Sequence, residues 1–84
     1  MPIKKILVVD DSPTERLAMT ELLVKNGYEV ATADSGEDAI VKSKSETPDL
    51  ILMDVVMPGM NGYQATRTIS RDEATRAIPI IMCT

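Results

Sequence analysis

Apolar and polar residues alternate along the chain in blocks that predict four strands separated by three helices. Short aliphatic runs bounded by polar residues, such as ILVV at 6–9 and LILM at 50–53, are typical of strands buried on both faces of a parallel sheet. Two of the helices begin at serine capping residues, Ser12 and Ser35, and Glu15 completes a predicted capping box with Ser12. We predict strands over 5–9, 28–33, 50–53 and 78–83, and helices over 13–25, 36–44 and 62–70.

Apolar residues at 18, 19, 22 and 23 form one stripe on the first helix, and Ala65 and Ile69 are expected to face inward from the third. The polar segment 71–77 is either a helix tail or a loop, and Met57 and Met60 are expected to be packing residues.

The strict alternation of strand and helix predicts an α/β fold, with a mostly parallel sheet and helices on both faces. The chain has 84 residues, so we expect one small domain over 1–84. Open sheets of this kind bind ligands at the carboxyl ends of their strands. Asp10, Asp11, Asp54 and Thr84 all fall at such ends, and the predicted site therefore lies at that edge.

Composition disfavours several classes of protein. A net charge of −4 and a pI near 4.6 argue against a nucleic-acid partner or an acidic membrane surface. No segment approaches the roughly 18 apolar residues of a membrane span. The chain has no histidine, which removes histidine metal sites and general bases. The lone Cys83 lies in an apolar run and indicates a core residue in a reducing cytoplasm.

Three aspartates follow the first and third predicted strands. Asp10 and Asp11 come after the first strand, and Asp54 comes after the third. If these strands lie side by side, the three carboxylates converge at one edge of the sheet. Because like charges repel, such a cluster persists only with a counter-charge or with raised pKa values. Oxygen ligands suit a hard divalent cation, most naturally Mg2+, which beside a free carboxylate is typical of phosphoryl chemistry.

Local structural roles also explain each of these residues when it is taken alone. Asp10 and Asp11 could stabilise the start of the first helix, since acids favour a helix N-terminus, although Ser12 is the better-placed cap. Asp54 could simply form a turn after its strand. A threonine that ends a strand, such as Thr84, usually has a structural role. It is the combination at one edge that favours a functional site.

The chain resembles the receiver domain of two-component response regulators. The segments that carry the resemblance are ILVVDD at 6–11, LILMDVVMPGMNG at 50–62 and PIIMCT at 79–84. The resemblance implies a flavodoxin-like fold with the sheet order 2-1-3-4-5. The segments DSPTE at 11–15 and NGYQATR at 61–67 are most similar to stand-alone chemotaxis-like regulators of twitching motility.

The resemblance also implies a role for each site residue. Asp54 would be the phosphoacceptor, which attacks a phosphohistidine on a partner histidine kinase. Asp11, Asp54 and the backbone carbonyl of Val56 would bind magnesium directly, and Asp10 would act mainly through metal-bound water. Thr84 would donate its hydroxyl to a phosphoryl oxygen and report the phosphorylated state. We therefore expect a signalling module that acts on a protein output target, not an enzyme.

The resemblance stops at Thr84, where the family continues through a further helix, a fifth strand and a last helix. We therefore expect a receiver domain truncated after the fourth strand, without the lysine that ends the fifth strand in this family. The fourth strand would then be an unprotected edge, which favours self-association or segment swapping.

Two other functions compete with this interpretation. Haloacid-dehalogenase-like phosphatases also place an aspartate after an apolar strand, but they need a second acid two residues later, where this chain has Val56. The truncated fragment could also act only as a binding or dimerising module without phosphotransfer. That alternative concerns whether the fragment itself works, whereas phosphoacceptance is the function expected of the complete receiver domain.

Overall fold

The computed structural model describes residues 2–83, which form one sheet of four parallel strands with three helices. The strand order is β2-β1-β3-β4, which agrees with the first four strands of the implied order and places β2 at an edge, as predicted. No helix in this part of the chain is long and apolar enough to cross a membrane. The elements are β1 (Lys5–Val9), α1 (Pro13–Lys25), β2 (Glu29–Ala33), α2 (Gly36–Ser45), β3 (Leu50–Asp54), α3 (Gly62–Arg71) and β4 (Ile80–Cys83).

Three strand boundaries differ from the prediction. β2 begins at Glu29, one residue later than predicted. β3 includes Asp54, one residue more than predicted, because the chain remains paired to β4 there, with Asp54 opposite Cys83. β4 begins at Ile80 and not at residue 78, since the preceding Pro79 has no N–H to donate to a neighbouring strand. The ambiguous polar segment before β4 forms turns around the buried Thr75, whose hydroxyl donates to the Ile69 carbonyl at 2.6 Å.

Polar side chains begin each helix. Ser12 Oγ accepts from the Glu15 N–H at 3.3 Å, and Ser35 caps α2 in the same way. The predicted capping box at Ser12 is only half formed, because the described hydrogen bonds do not include the return bond from the Glu15 side chain. The complete box is at α3, where Asn61 and Gln64 exchange both bonds at 2.9 and 3.0 Å.

The main core lies between the sheet and the pair α2 and α3. It is built from aliphatic residues that alternate along the strands and from small or branched residues of the two helices. Ala65 and Ile69 of α3 are buried there, as predicted. The fully buried strand residues of this core are Leu7, Val9, Ala33, Ile51 and Met53.

Helix α1 packs against β1 and β2, and none of its residues is fully buried. Of the predicted apolar stripe, Met19 and Leu23 are half-buried, whereas Ala18 and Leu22 are exposed. The prediction was therefore right for only part of the stripe. Helix α1 lies over β1 and β2, and the side of the helix that carries Ala18 and Leu22 stays exposed.

Gly62 approaches the end of β3 so closely that it leaves no room for a side chain. A Cβ at Gly62 would collide with the Asp54 carbonyl oxygen and would lie 2.9 Å from the Asp54 carbonyl carbon. The Gly62 N–H donates to the Val55 carbonyl at 3.0 Å. This contact ties the start of α3 to the backbone that carries Asp54.

We predict that Gly62→Ala lowers the free energy of unfolding by about 1–3 kcal/mol, since overpacking forces the backbone to shift. Gly36→Ala is the matched comparison, because its nearest atom is the flexible Met60 side-chain Cγ at 2.9 Å. Urea unfolding of both variants should show the larger loss for Gly62→Ala. A larger loss for Gly36→Ala would contradict the structural role assigned to Gly62.

Candidate metal centre at the carboxyl edge of the sheet

The parallel pairing of β1 with β3 brings the three predicted aspartates together. Val9 lies opposite Met53 in the register, so the residues that follow each strand emerge side by side. One carboxylate oxygen from each of Asp10, Asp11 and Asp54 lies within 4.8 Å of the others. Asp10 and Asp54 are half-buried and Asp11 is exposed. The predicted convergence of the three side chains is therefore confirmed.

Asp10 is fixed through its backbone as well as its side chain. Its N–H donates to the Ala33 carbonyl at 3.1 Å, which continues the pairing with β2 beyond the end of β1. Its carbonyl accepts from Arg16 Nη1 at 2.7 Å, and its Oδ1 accepts from the Ser12 N–H at 2.9 Å. Asp10 thus shapes the entry to α1 and contributes a carboxylate to the cluster, so the two roles considered for it coexist.

The loop after Asp54 is anchored on both sides. The Val55 N–H donates to the Cys83 carbonyl at 3.3 Å, and Met57 is buried at 6% exposure in the main core. Met60 packs partly against the same core, as expected of these methionines. The anchoring leaves the Val56 side chain 79% exposed beside the acidic cluster. An aliphatic side chain at Val56 is therefore compatible with the role predicted for its backbone carbonyl.

Burial and like charge raise the pKa of the Asp54 carboxyl above its ordinary value. Burial is the largest cause, followed by the charge of Asp10 and then that of Asp11, while the Val56 backbone N–H partly offsets them by favouring the ionised form. Burial and the Asp54 and Asp10 carboxylates also raise the pKa of the Cys83 thiol. Cys83 is only half-buried and is not part of the core cluster, so the expectation of a buried core residue is wrong, because the end of β4 opens onto the cavity.

The three carboxylates fit a hard divalent cation. Their ligand atoms are oxygens, they are close enough to share one ion, and their mutual repulsion calls for a positive counter-charge. Among residues 2–83, no side-chain cation forms an ion pair with these three carboxylates, and the nearby Arg16 guanidinium bonds the Asp10 backbone carbonyl instead. Three of the five lysines form ion pairs elsewhere, Lys5 with Glu46, Lys42 with Asp38 and Lys44 with Asp72.

A fourth acidic side chain, which was not predicted there, lines the site. A cavity of about 350 Å³ is lined by Asp10 and Asp54 together with three further residues, Glu15, Met19 and Cys83. Glu15 was assigned only to helix capping. Its place could have been found from the sequence only by noting that the first turn of α1 must stand over the carboxyl end of β1.

Two predicted site residues remain, Val56 and Thr84, and only Val56 is among the described residues. Val56 follows the acidic cluster directly, but its proposed carbonyl ligand stays a prediction. Thr84 lies outside the described residues, so the role of its hydroxyl also stays a prediction. Its neighbour Cys83 pairs with Asp54, which shows that β4 leads to the same edge of the sheet.

Comparisons with known proteins agree with this geometry. The family model described as "Response regulator receiver domain" matches residues 6–84. The chain is 50% identical to Protein PilH of Pseudomonas aeruginosa, covering 95% of this chain and 66% of that one. It is 44% identical to the chemotaxis protein CheY of Bacillus subtilis, covering 94% of this chain and 65% of that one. The chain therefore spans slightly less than two thirds of the length of these relatives.

A solved structure with a similar fold holds a magnesium ion. It is the receiver domain of a sensor histidine kinase from Pseudomonas aeruginosa PAO1, with a magnesium ion coordinated in its active-site cleft. It is 35% identical to this chain with a TM-score of 0.91, and the match covers 99% of this chain and 68% of that one. The flavodoxin-like fold and the similarity to chemotaxis-type regulators are thus confirmed, and the chain belongs to the response regulator receiver domain family.

Proposed function

We propose that this chain is a phosphoacceptor in two-component signal transduction. Asp54 accepts a phosphoryl group from a phosphohistidine of a partner histidine kinase, in a reaction that depends on magnesium. The observation that carries the proposal is the convergence of three carboxylates within 4.8 Å at the ends of β1 and β3. Membership of the receiver family supports the same role.

The transfer is a displacement at phosphorus. A carboxylate oxygen of Asp54 forms the new P–O bond while the P–N bond to the kinase imidazole breaks. The imidazole nitrogen keeps the electron pair of that bond and takes a proton from solvent. The product is an aspartyl phosphate on Asp54, and hydrolysis of its P–O bond returns the chain to its first state.

Each acidic residue has a separate task in this reaction. Asp54 attacks as the ionised carboxylate, and its raised pKa makes that carboxylate more basic than an ordinary aspartate. Asp11, Asp54 and the Val56 carbonyl would hold the cation directly, and Asp10 would act mainly through water bound to it. A bound magnesium ion would neutralise charge on the phosphoryl oxygens and favour ionised Asp54. The Thr84 hydroxyl donates to a phosphoryl oxygen.

The proposed partners follow from the same chemistry. The donor is a sensor or chemotaxis-type histidine kinase, and the phosphorylated chain acts on a protein output target. Nucleic acid and membrane are not proposed as partners, since the chain carries a net charge of −4. The lone cysteine supports a place in the cytoplasm.

A second proposal is self-association through β4. In the described sheet β4 pairs on one side only, with β3, so its other backbone edge can accept a further strand. Ile81 at this edge is 52% exposed. We propose that two copies cover this edge by strand pairing or by segment swapping, and that this binding role is the alternative function if phosphotransfer fails.

Incubation with acetyl phosphate and magnesium should add one phosphoryl group to the wild-type chain, as measured by intact mass. Asp54→Asn should remove the adduct completely, because it removes the attacking oxygen. Asp11→Asn should slow its formation at least about tenfold, by analogy with the loss of metal-supporting groups.

Asp34→Asn is the matched control, since Asp34 is an exposed aspartate that follows β2 at the same end of the sheet. It should be phosphorylated like the wild type. A full adduct on Asp54→Asn, or no adduct on folded wild-type protein, would contradict the proposed acceptor.

Sedimentation at rising concentration should show the wild-type mass moving from monomer towards dimer. Ile81→Lys should keep the chain monomeric, because a charge on an edge strand opposes pairing. Val41→Lys is the control, since Val41 is 62% exposed on α2, away from the edge. A wild-type chain that stays monomeric at every concentration would overturn the self-association.

A further inference from the structure

Glu15 lies at the proposed phosphoacceptor site without being one of the clustered aspartates. It stands in the first turn of α1, and its backbone N–H is held by Ser12 Oγ at 3.3 Å. The recorded hydrogen bonds and ion pairs of residues 2–83 give its carboxylate no partner, and its side chain lines the same cavity as Asp10 and Asp54. The three-aspartate cluster does not include it.

We propose that Glu15 is a charge-selecting residue of this site, which strengthens cation binding and slows phosphoryl transfer from highly charged anionic donors. The proposal rests on the proposed phosphoacceptor function. Glu15 is a positioning residue in this scheme, since it acts through the electric field of the cavity and through intervening water. It is exposed and stands outside the cluster whose oxygens lie within 4.8 Å.

Electrostatics give the direction and the size of the effect. A negative charge on the wall of the cavity attracts a divalent cation and repels an incoming phosphate dianion. At a separation of one Debye length or less, the interaction is only partly screened by salt. Coulomb's law at a water-like dielectric then gives about a two- to fivefold change in cation affinity for one unit charge.

The adjacent cation does not pair with Glu15 among the described residues. Arg16 follows Glu15 in α1, but its guanidinium donates to the Asp10 backbone carbonyl at 2.7 Å. Arg16 is not among the residues that line the cavity. The cavity wall therefore carries the charges of Asp10, Asp54 and Glu15, and neutralising Glu15 changes the field without removing a ligand of the proposed cation.

A purely structural role for Glu15 predicts a different outcome. An acidic residue in the first turn of a helix interacts favourably with the helix dipole, so Glu15→Gln would then lower stability only. Glu21→Gln is the matched control, because it removes the same charge from an exposed position farther along α1. Glu15→Asp keeps the charge near the same place and should behave like the wild type.

The first experiment is isothermal titration of magnesium into the wild type and the three variants. Glu15→Gln should raise the dissociation constant about two- to fivefold relative to Glu21→Gln. Equal dissociation constants for Glu15→Gln and Glu21→Gln would overturn the proposal. This binding measurement needs no phosphoryl transfer, so it still decides the role of Glu15 if the phosphoacceptor function fails.

The second experiment compares two donors at saturating magnesium. Glu15→Gln should speed phosphorylation by acetyl phosphate, a dianion at neutral pH, more than phosphorylation by phosphoramidate, which carries less negative charge. Equal changes with both donors would overturn the donor-selecting part of the proposal. A wild-type chain that binds magnesium but takes up no phosphoryl group from either donor would instead count against the phosphoacceptor function.

Discussion

The mutual repulsion of three carboxylates is the constraint on which the rest of the site depends. Asp10, Asp11 and Asp54 are held within 4.8 Å of one another although burial and like charge raise the pKa of the Asp54 carboxyl. The arrangement is kept by the parallel pairing of β1 with β3, whose buried aliphatic residues stabilise the sheet far from the charged edge. A bound divalent cation would relieve this repulsion.

The fold holds the acidic edge through backbone contacts that do not depend on the cation. The Asp10 N–H donates to the Ala33 carbonyl, and the Asp10 carbonyl accepts from Arg16. The backbone of Val55, directly after Asp54, is hydrogen-bonded to Cys83 and Gly62. Such contacts preorganise the carboxylates, so binding of an ion requires little rearrangement. The exposed residues at this edge, Asp11, Glu15 and Val56, are then the ones that can vary its charge and access.

Most of the fold and the acidic cluster could be predicted from the sequence, because they depend on local patterns. Aliphatic runs define strands, and the parallel order fixes which strand ends meet at one edge. The extent of β4 depended on Pro79 and on the turns before it, which apolar pattern alone does not show. The exposed part of the α1 stripe depended on where the helix lies over the sheet, which is a tertiary property.

Glu15 shows why local rules can miss a site residue. Its spacing from Ser12 matches a capping box, and the backbone half of that box does form. Whether the carboxylate completes the box or turns to the cavity depends on what stands beside the helix start, and this is not encoded in the spacing. The same applies to Gly62, which must be a glycine because the end of β3 leaves no room for a side chain there.

The most direct test of the carboxylate repulsion is the free energy of unfolding against pH for the wild type and Asp54→Asn, first without divalent ions. Because the folded-state pKa of Asp54 is raised, its contribution to stability is full below the ordinary value near 3.8 and is lost as pH rises through the folded-state value. The variant should therefore gain stability relative to the wild type from about pH 4 to about pH 7.

Magnesium at pH 7 should then reverse this difference. At a hundred times its dissociation constant it should stabilise the wild type by about 2.7 kcal/mol, and it should stabilise Asp54→Asn by less because one ligand is lost. A stability difference between the two chains that changes with neither pH nor magnesium would contradict the account of the site as a repulsive cluster relieved by a cation.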